Sequence, residues 1–234
     1  MQKNNDYIEN DKPIKITGKN IILCEGKDAK LFILHFLGST KYADFLDLKD
    51  GKRYIEIKDY GGNSELPTHL KTLKLLDGFD DVKSILIIRD AETDYKEALK
   101  DIKYALKEND FAVPSGSCEK VVSNDGIAIG FLLFPTCSKE LKNGTLEDLC
   151  LKILSEDNVD KVKSVVDNYL DEMRKEGYTK LKKYHKSVLH SYLSAKDEYV
   201  TLKLGEAAKS GAFNFKSKEL DSLLEFIGKM VESY

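Results

Sequence analysis

The sequence predicts an α/β fold: a Rossmann-type, mainly parallel sheet with flanking helices, followed by a helical C-terminal region. Uninterrupted apolar runs at residues 21–24, 85–88 and 127–134 have the character of strands buried on both faces. The first two each end in an acid and lead into a helical pattern, the strand-helix alternation of a parallel sheet. Residues 156–234 read as helical throughout. The expected organisation is a loose arm over 1–19, an α/β core over 20–155, and a helical region over 156–234 packed on that core.

The elements follow in order. Residues 1–12 are polar, and Pro13 marks where order begins. After the strand at 21–24, Glu25-Gly26 turn the chain and residues 27–37 form a helix apolar nearly all round, ended by Gly38. His35 on that helix reads as a core or edge histidine. Residues 53–58, R-Y-I-E-I-K, alternate apolar and polar side chains, which predicts a half-exposed edge strand. Gly61-Gly62 supply a tight turn, and Asn63 or Ser64 can cap a helix running to Leu76. A phosphate cradle is the alternative reading of that turn, but the glycine spacing of a nucleotide loop is absent.

Behind the strand at 85–88 come Arg89, Asp90, Glu92 and Asp94, and a helix from Asp94 to Asn109. Residues 114–126 read as a turn-rich, mobile connection. Thr145 with Asp148 three residues later resembles a capping box and starts a helix whose first turn holds Glu147. From Asn158, the residues Val159, Val162, Val165, Val166, Tyr169 and Met173 line one apolar face until Gly177. Thr179 can cap a helix over 180–194 that carries Leu181, Tyr184, Val188, Leu189 and Tyr192 inward. A last helix follows Ser217 and ends near Val231.

Composition narrows the function classes. Apolar residues make up 41% and charged residues 33%, the balance of a globular protein with a real core. The net charge is only −3, so a polyanion would have to be met by a local basic patch or by metal ions. No run of about 18 apolar residues could span a bilayer, and the N-terminus lacks a signal-type apolar segment. An intracellular, cytoplasmic protein is the expectation. Cys24, Cys118, Cys137 and Cys150 lack metal-ligand spacing or a disulfide framework, and are expected to be buried free thiols.

The chemistry-bearing residues collect at strand ends. In a right-handed βαβ array these ends share one edge of the sheet, where ligands of open α/β folds bind. Glu25, Asp90, Glu92, Asp94 and Glu147 would meet there, with Asp94 and Glu147 also explicable as helix-start acids. Hard oxygen ligands of this kind suit Mg²⁺ or Mn²⁺ and phosphodiester chemistry. The densest basic cluster is Arg174, Lys175, Lys180, Lys182, Lys183 and Lys186, with a solvated charged face as the alternative reading.

The segment I-I-L-C-E-G-K-D followed by I-L-I-I-R-D-A-E resembles the two signature motifs of the Toprim domain, a strand ending in Glu-Gly and a second ending in D-x-D. G-T-L-E-D-L at 144–149, K-S-V-L-H-S-Y-L-S at 186–194 and L-G-E-A-A-K-S-G-A-F at 204–213 extend the likeness to the small stand-alone proteins allied to the OLD-type nucleases. The resemblance implies that Glu25 is a metal ligand or general base with Asp28 as its partner. It implies that Asp90 and Glu92 are metal ligands, that Glu147 serves a second metal, and that Lys186 is a catalytic lysine. Glu92 stands where aspartate is usual and reaches one methylene further. Arg89 is placed to neutralise the site when metal is absent.

The function so implied is a Mg²⁺- or Mn²⁺-dependent nuclease that nicks or cuts nucleic acid, DNA ahead of RNA. A catalytically silent Toprim-like module that binds nucleic acid or a partner is the alternative. The OLD-type branch often joins its Toprim domain to an ATPase, and this chain has no Walker A, so a separate ATPase is a candidate partner. Topoisomerase and primase readings rank below these. No membrane partner is expected, and a homo-oligomer is compatible with the resemblance.

Overall fold

The computed structural model describes residues 15–137, 142–154, 159–178 and 183–231. Of the arm expected over 1–19, residues 1–14 with Pro13 lie outside the described residues, as do the Thr179 cap, Leu181, Lys180 and Lys182; Ile16 is buried and the first strand opens at Gly18.

The sheet forms from β1 (Gly18–Cys24), β2 (Arg53–Asp59), β3 (Ser84–Asp90), β4 (Glu119–Val122) and β5 (Ala128–Phe134), in the order β2-β1-β3-β5-β4. The pairs β1–β2, β1–β3 and β3–β5 are parallel; β4 pairs antiparallel with β5. This is the predicted Rossmann-like α/β architecture. The apolar runs of β1, β3 and β5 occupy the three central positions, where both faces are covered, and R-Y-I-E-I-K lies at an edge.

Side chains alternate between two apolar layers. Ile21, Leu23, Ile85, Ile87, Ile129 and Phe131 pack against α2 (Leu66–Leu73) and α3 (Tyr95–Glu108). Ile22, Cys24, Leu86, Ile88, Leu132 and Phe134 pack against α1 (Gly26–Gly38), α4 (Leu146–Lys152), α6 (Tyr184–Ser194), α7 (Leu204–Lys209) and α8 (Asp221–Val231). The C-terminal helices α6 to α8 thus share the core of the sheet rather than building one of their own. Among the described residues no helix is long and apolar enough to cross a membrane.

Local signals behave as their chemistry dictates. Asp94 caps α3 by accepting from the Lys96 and Glu97 amides at 2.9 and 3.1 Å. Asp148 accepts the Thr145 amide at 2.8 Å, closing the box at the start of α4. Asn63 and Ser64 do not cap α2. A 3-10 turn at Asn63–Glu65 precedes it, and neither start carries a side-chain cap.

Three further expectations are corrected. The connection at 114–126 contains β4, whose four residues pair only with β5. That pairing explains the second correction: it sets Cys118, which donates its amide to Phe131 O at 2.8 Å, beside Cys137 just past β5. The two are joined in a disulfide with Cα atoms 5.8 Å apart, whereas Cys24 and Cys150 are buried free thiols. Third, α5 (Val159–Lys175) buries Val166 and Leu170 against Val188, while Val165 and Tyr169 are exposed at 68% and 55%. Packing at α5 draws on Val188 and Tyr184 of α6 and Leu151 of α4, so a narrow seam is covered instead of a broad stripe.

Helix α8 crosses β5 so closely that a Cβ on Gly130 would lie 2.7 Å from Met230 Sδ and 3.0 Å from Phe226 Cζ. Gly130→Val is expected to destabilise the protein by about 1–3 kcal/mol through overpacking. Urea unfolding checks this; a variant equal in stability to wild type would contradict the close contact.

Candidate active site at the carboxyl edge of the sheet

Because β1 and β3 are parallel and in register, with Cys24 opposite Ile88, their ends deliver Glu25 and Asp90 to the same edge. The Glu25 amide donates to Ile88 O at 3.0 Å, and Glu25 Oε2 accepts the Asp90 amide at 3.2 Å. Asp90 Oδ1 accepts the Leu146 amide at 2.8 Å, which ties β3 to the first turn of α4. That turn also carries Glu147, buried at 6% exposure. Gly144 makes the approach possible. Its φ is 139°, and a Cβ there would lie 2.8 Å from Asp148 Oδ2 and 3.0 Å from Pro135.

Glu25, Asp28, Asp90, Glu147 and Lys186 line one small cavity of about 40 Å³, with Arg89 in its wall. That volume holds a water molecule or an ion but no organic ligand. Lys186 Nζ stands 3.4 Å from Glu147 Oε1, and Arg89 Nε 3.8 Å from Glu25 Oε2. Asp28 Oδ1 accepts the Gly205 amide of α7 at 3.0 Å, a link between residues 177 apart in sequence.

Five of the six candidate residues therefore meet. Glu92 does not line the cavity: it is exposed, has φ of 53°, and exchanges both backbone hydrogen bonds with Gly144 at 2.8 Å. Its charge still raises the proton affinity of Glu25 and Asp90. Asp94 serves as a helix cap. In the basic cluster, Arg174 and Lys175 are exposed and paired with Asp171 and Glu172, and among the described residues of the cluster only Lys186 lines the cavity.

The field in the cavity is that of crowded carboxylates. Loss of water lifts the Asp90 carboxyl well above its ordinary value, and the charges of Glu147 and Glu25 lift it further, against the pull of the Leu146 amide. Burial also raises Glu25, opposed by the Asp90 amide and the Arg89 guanidinium. Burial alone would depress Lys186, but attraction to Glu147 and then Asp90 leaves it above the usual lysine value.

One buried carboxylate oxygen, Glu147 Oε2, has no hydrogen-bond partner. A buried acceptor left unpaired is costly and calls for an occupant. With Asp90 beside it, the donor set is all hard oxygen, which fits a Mg²⁺- or Mn²⁺-sized ion. Among the described residues no three His, Cys, Asp or Glu side chains are gathered closely enough to hold an ion as they stand. Arg89 and Lys186 supply countercharge to Glu25 and Glu147.

Residues 19–232 match the sequence model of a family described as "Protein of unknown function (DUF3226)". The chain belongs to the DUF3226 family. No curated protein and no solved structure matches it. In this DUF3226 protein, sequence reasoning missed two features of the site. One is the Arg89–Asp101 pair at 3.1 Å. The other is the pairing of His185 Nδ1 with Asp148 Oδ1 at 2.5 Å, one residue along from the Lys186–Glu147 pair. The run K-Y-H-K beside E-D was the available signal.

Lys186→Ala is expected to lower stability by about 2–4 kcal/mol, because Glu147 is left buried without its cation. Lys186→Ala paired with Glu147→Gln should recover most of that loss, and thermal melts of the three variants check it. A double variant no better than the single one would contradict the coupling.

Proposed function

We propose that this protein is a divalent-metal-dependent phosphodiester hydrolase of the Toprim type, allied to the OLD-type nucleases, that nicks or cleaves DNA. The observation that carries the reading is the cavity in which Glu25, Asp28, Asp90, Glu147 and Lys186 meet around the unpartnered Glu147 Oε2. Asp90 and Glu147 would hold the ion, with Glu25 and Asp28 within the same cavity. When bound, Mg²⁺ or Mn²⁺ supplies Lewis-acid polarisation of a phosphoryl oxygen and a more acidic water.

The chain's own groups do the rest. Glu25 Oε2 is held by the Asp90 amide, so the carboxylate is fixed in orientation and takes a proton from the attacking water at Oε1. Its raised proton affinity makes it the better base. Lys186 stays protonated and offers Nζ to the oxygen on which negative charge develops. The Gly205 amide fixes Asp28, and Arg89 balances Glu25 until substrate and metal arrive.

The test is incubation of supercoiled plasmid with Mg²⁺ or Mn²⁺, against EDTA and Asp90→Asn controls. Nicked or linear product that vanishes in both controls is the expected result. Intact plasmid, or equal cutting by Asp90→Asn, would sink the reading for this substrate. A silent Toprim-like module that docks on nucleic acid or a separate ATPase is the second reading. The existing countercharges at Glu25 and Glu147 favour it, since they leave less call for an ion. Calorimetry at millimolar divalent ion separates the two, because the silent module takes up none.

A further inference from the structure

Strand alternation sends Ile88 and Asp90 toward the α1/α4 layer but Ile87 and Arg89 toward the α2/α3 layer. Arg89 is consequently a wall shared by two cavities. Beyond it lies a cleft of about 330 Å³, also lined by Asn63, Ser64, Pro67, Asp101 and Tyr104. That is enough room for a small ligand, whose sites run from about 300 Å³ upward.

Three features of the cleft suit a phosphate joined to an aromatic base. First, the Arg89 guanidinium is 5% exposed, and while its Nε lies 3.8 Å from Glu25 Oε2 in the first cavity, its Nη2 donates to Asp101 at 3.1 Å on the cleft side. The Asp101 side chain is itself 51% exposed, so a solvent-side oxyanion already rests on a buried guanidinium. A phosphate would take that place on Nη2 with a larger charge. Second, helix α2 starts here without a side-chain cap, which adds first-turn amide dipoles of the same sign. Third, the ring of Tyr104 is 62% exposed at the lip, a face on which any base can stack.

The geometry points to this cleft as a second subsite, for a nucleoside 5′-phosphate unit, with its phosphate on Arg89 in place of Asp101 and its base on Tyr104. The subsite deepens the hydrolase reading, on which it rests only for its role: it would hold the nucleotide flanking the phosphate being cut. Binding of a free mononucleotide needs no divalent ion.

The experiment is an NMR titration of the full chain in EDTA with dAMP, deoxyadenosine and inorganic phosphate. We expect dAMP to shift the Tyr104 ring and Arg89 side-chain signals and to bind about ten-fold more tightly than either fragment. Asp101→Asn, at an exposed position, should tighten dAMP binding by about five-fold, because the competing carboxylate is gone. Tyr104→Ala should weaken dAMP while leaving inorganic phosphate unchanged. No saturable dAMP binding, or an Asp101→Asn variant that binds no more tightly than wild type, would overturn the subsite. A short single-stranded deoxyoligonucleotide that displaces dAMP supports the link to a cut strand, and one that does not overturns that link. If plasmid is cut but dAMP does not bind, the subsite alone is wrong; if dAMP binds and plasmid stays intact, the hydrolase reading fails for that substrate while the subsite stands.

Discussion

Asp90→Asn is expected to cut metal-dependent cleavage by at least about 100-fold, since even groups that merely orient a metal ligand commonly cost 10–100-fold. The same change should stabilise the metal-free protein near neutrality. Asp90 is raised in the folded state by loss of water, then by Glu147 and Glu25. A raised carboxyl contributes stability that is fully present below the unfolded pKa of about 3.9 and is lost as pH rises through the folded value. At neutral pH this carboxyl is therefore a burden that asparagine removes. Asparagine Oδ1 can still accept the Leu146 amide that Asp90 Oδ1 accepts at 2.8 Å. The variant is expected to be the more stable of the two in EDTA at neutral pH, by a margin that shrinks toward zero in acid. Millimolar Mg²⁺ or Mn²⁺ should stabilise wild type and leave the variant unmoved. Thermal melts across pH with and without metal check this; a variant less stable than wild type in EDTA at neutral pH would contradict the charge-crowding account.

Glu56→Ala is expected to carry the largest loss of stability, about 3–5 kcal/mol, because breaking a buried ion pair leaves the partner groups unpaired. Glu56 is 8% exposed in edge strand β2. Its Oε2 accepts the Thr17 and Gly18 amides at 2.7 and 2.8 Å, and Lys58 Nζ lies 2.7 Å from Oε1. Burial alone would raise this carboxyl, but Lys58 and the two amides outweigh it and hold the pKa below the ordinary value. A depressed carboxyl gives stability that is present above its unfolded pKa and is lost as pH falls through the folded one. The gap between wild type and Glu56→Ala should accordingly narrow in acid. Glu56→Gln, which keeps one acceptor oxygen, should lose less. Urea unfolding at neutral and acid pH measures all three, and a pH-independent gap would contradict the assignment.

Glu56 also marks what the sequence could and could not show. In R-Y-I-E-I-K it reads as the solvent-facing polar partner of an alternating edge strand, and its burial comes from the start of β1, 38 residues away. The central strands were legible because burial on both faces leaves an unbroken apolar run. Asp94 and the Thr145–Asp148 box were legible because a cap is a contact within three residues. Strand β4 was not: its alternation is four residues long, and what stabilises it is β5. The Cys118–Cys137 bond was hidden with it.

The candidate site divides the same way. Its acids could be found at strand ends, but the groups that hold them are distant in sequence: Gly205 on Asp28, Lys186 on Glu147, Leu146 on Asp90. Lys186 entered only through a family resemblance, since as a charge among charges it looked like surface. Glu92 had the right spacing, yet its positive φ and its backbone pairing with Gly144 leave its carboxylate outside the cavity.

The central claim is that the carboxyl edge of β1 and β3 takes a divalent ion between Asp90 and Glu147. Anomalous diffraction from crystals soaked in millimolar Mn²⁺ tests it most directly. The account predicts a peak inside the cavity lined by Glu25, Asp90 and Glu147, within ligand distance of Glu147 Oε2, and its loss in Asp90→Asn. An empty cavity at that concentration, with Arg89 and Lys186 still paired to Glu25 and Glu147, would contradict it.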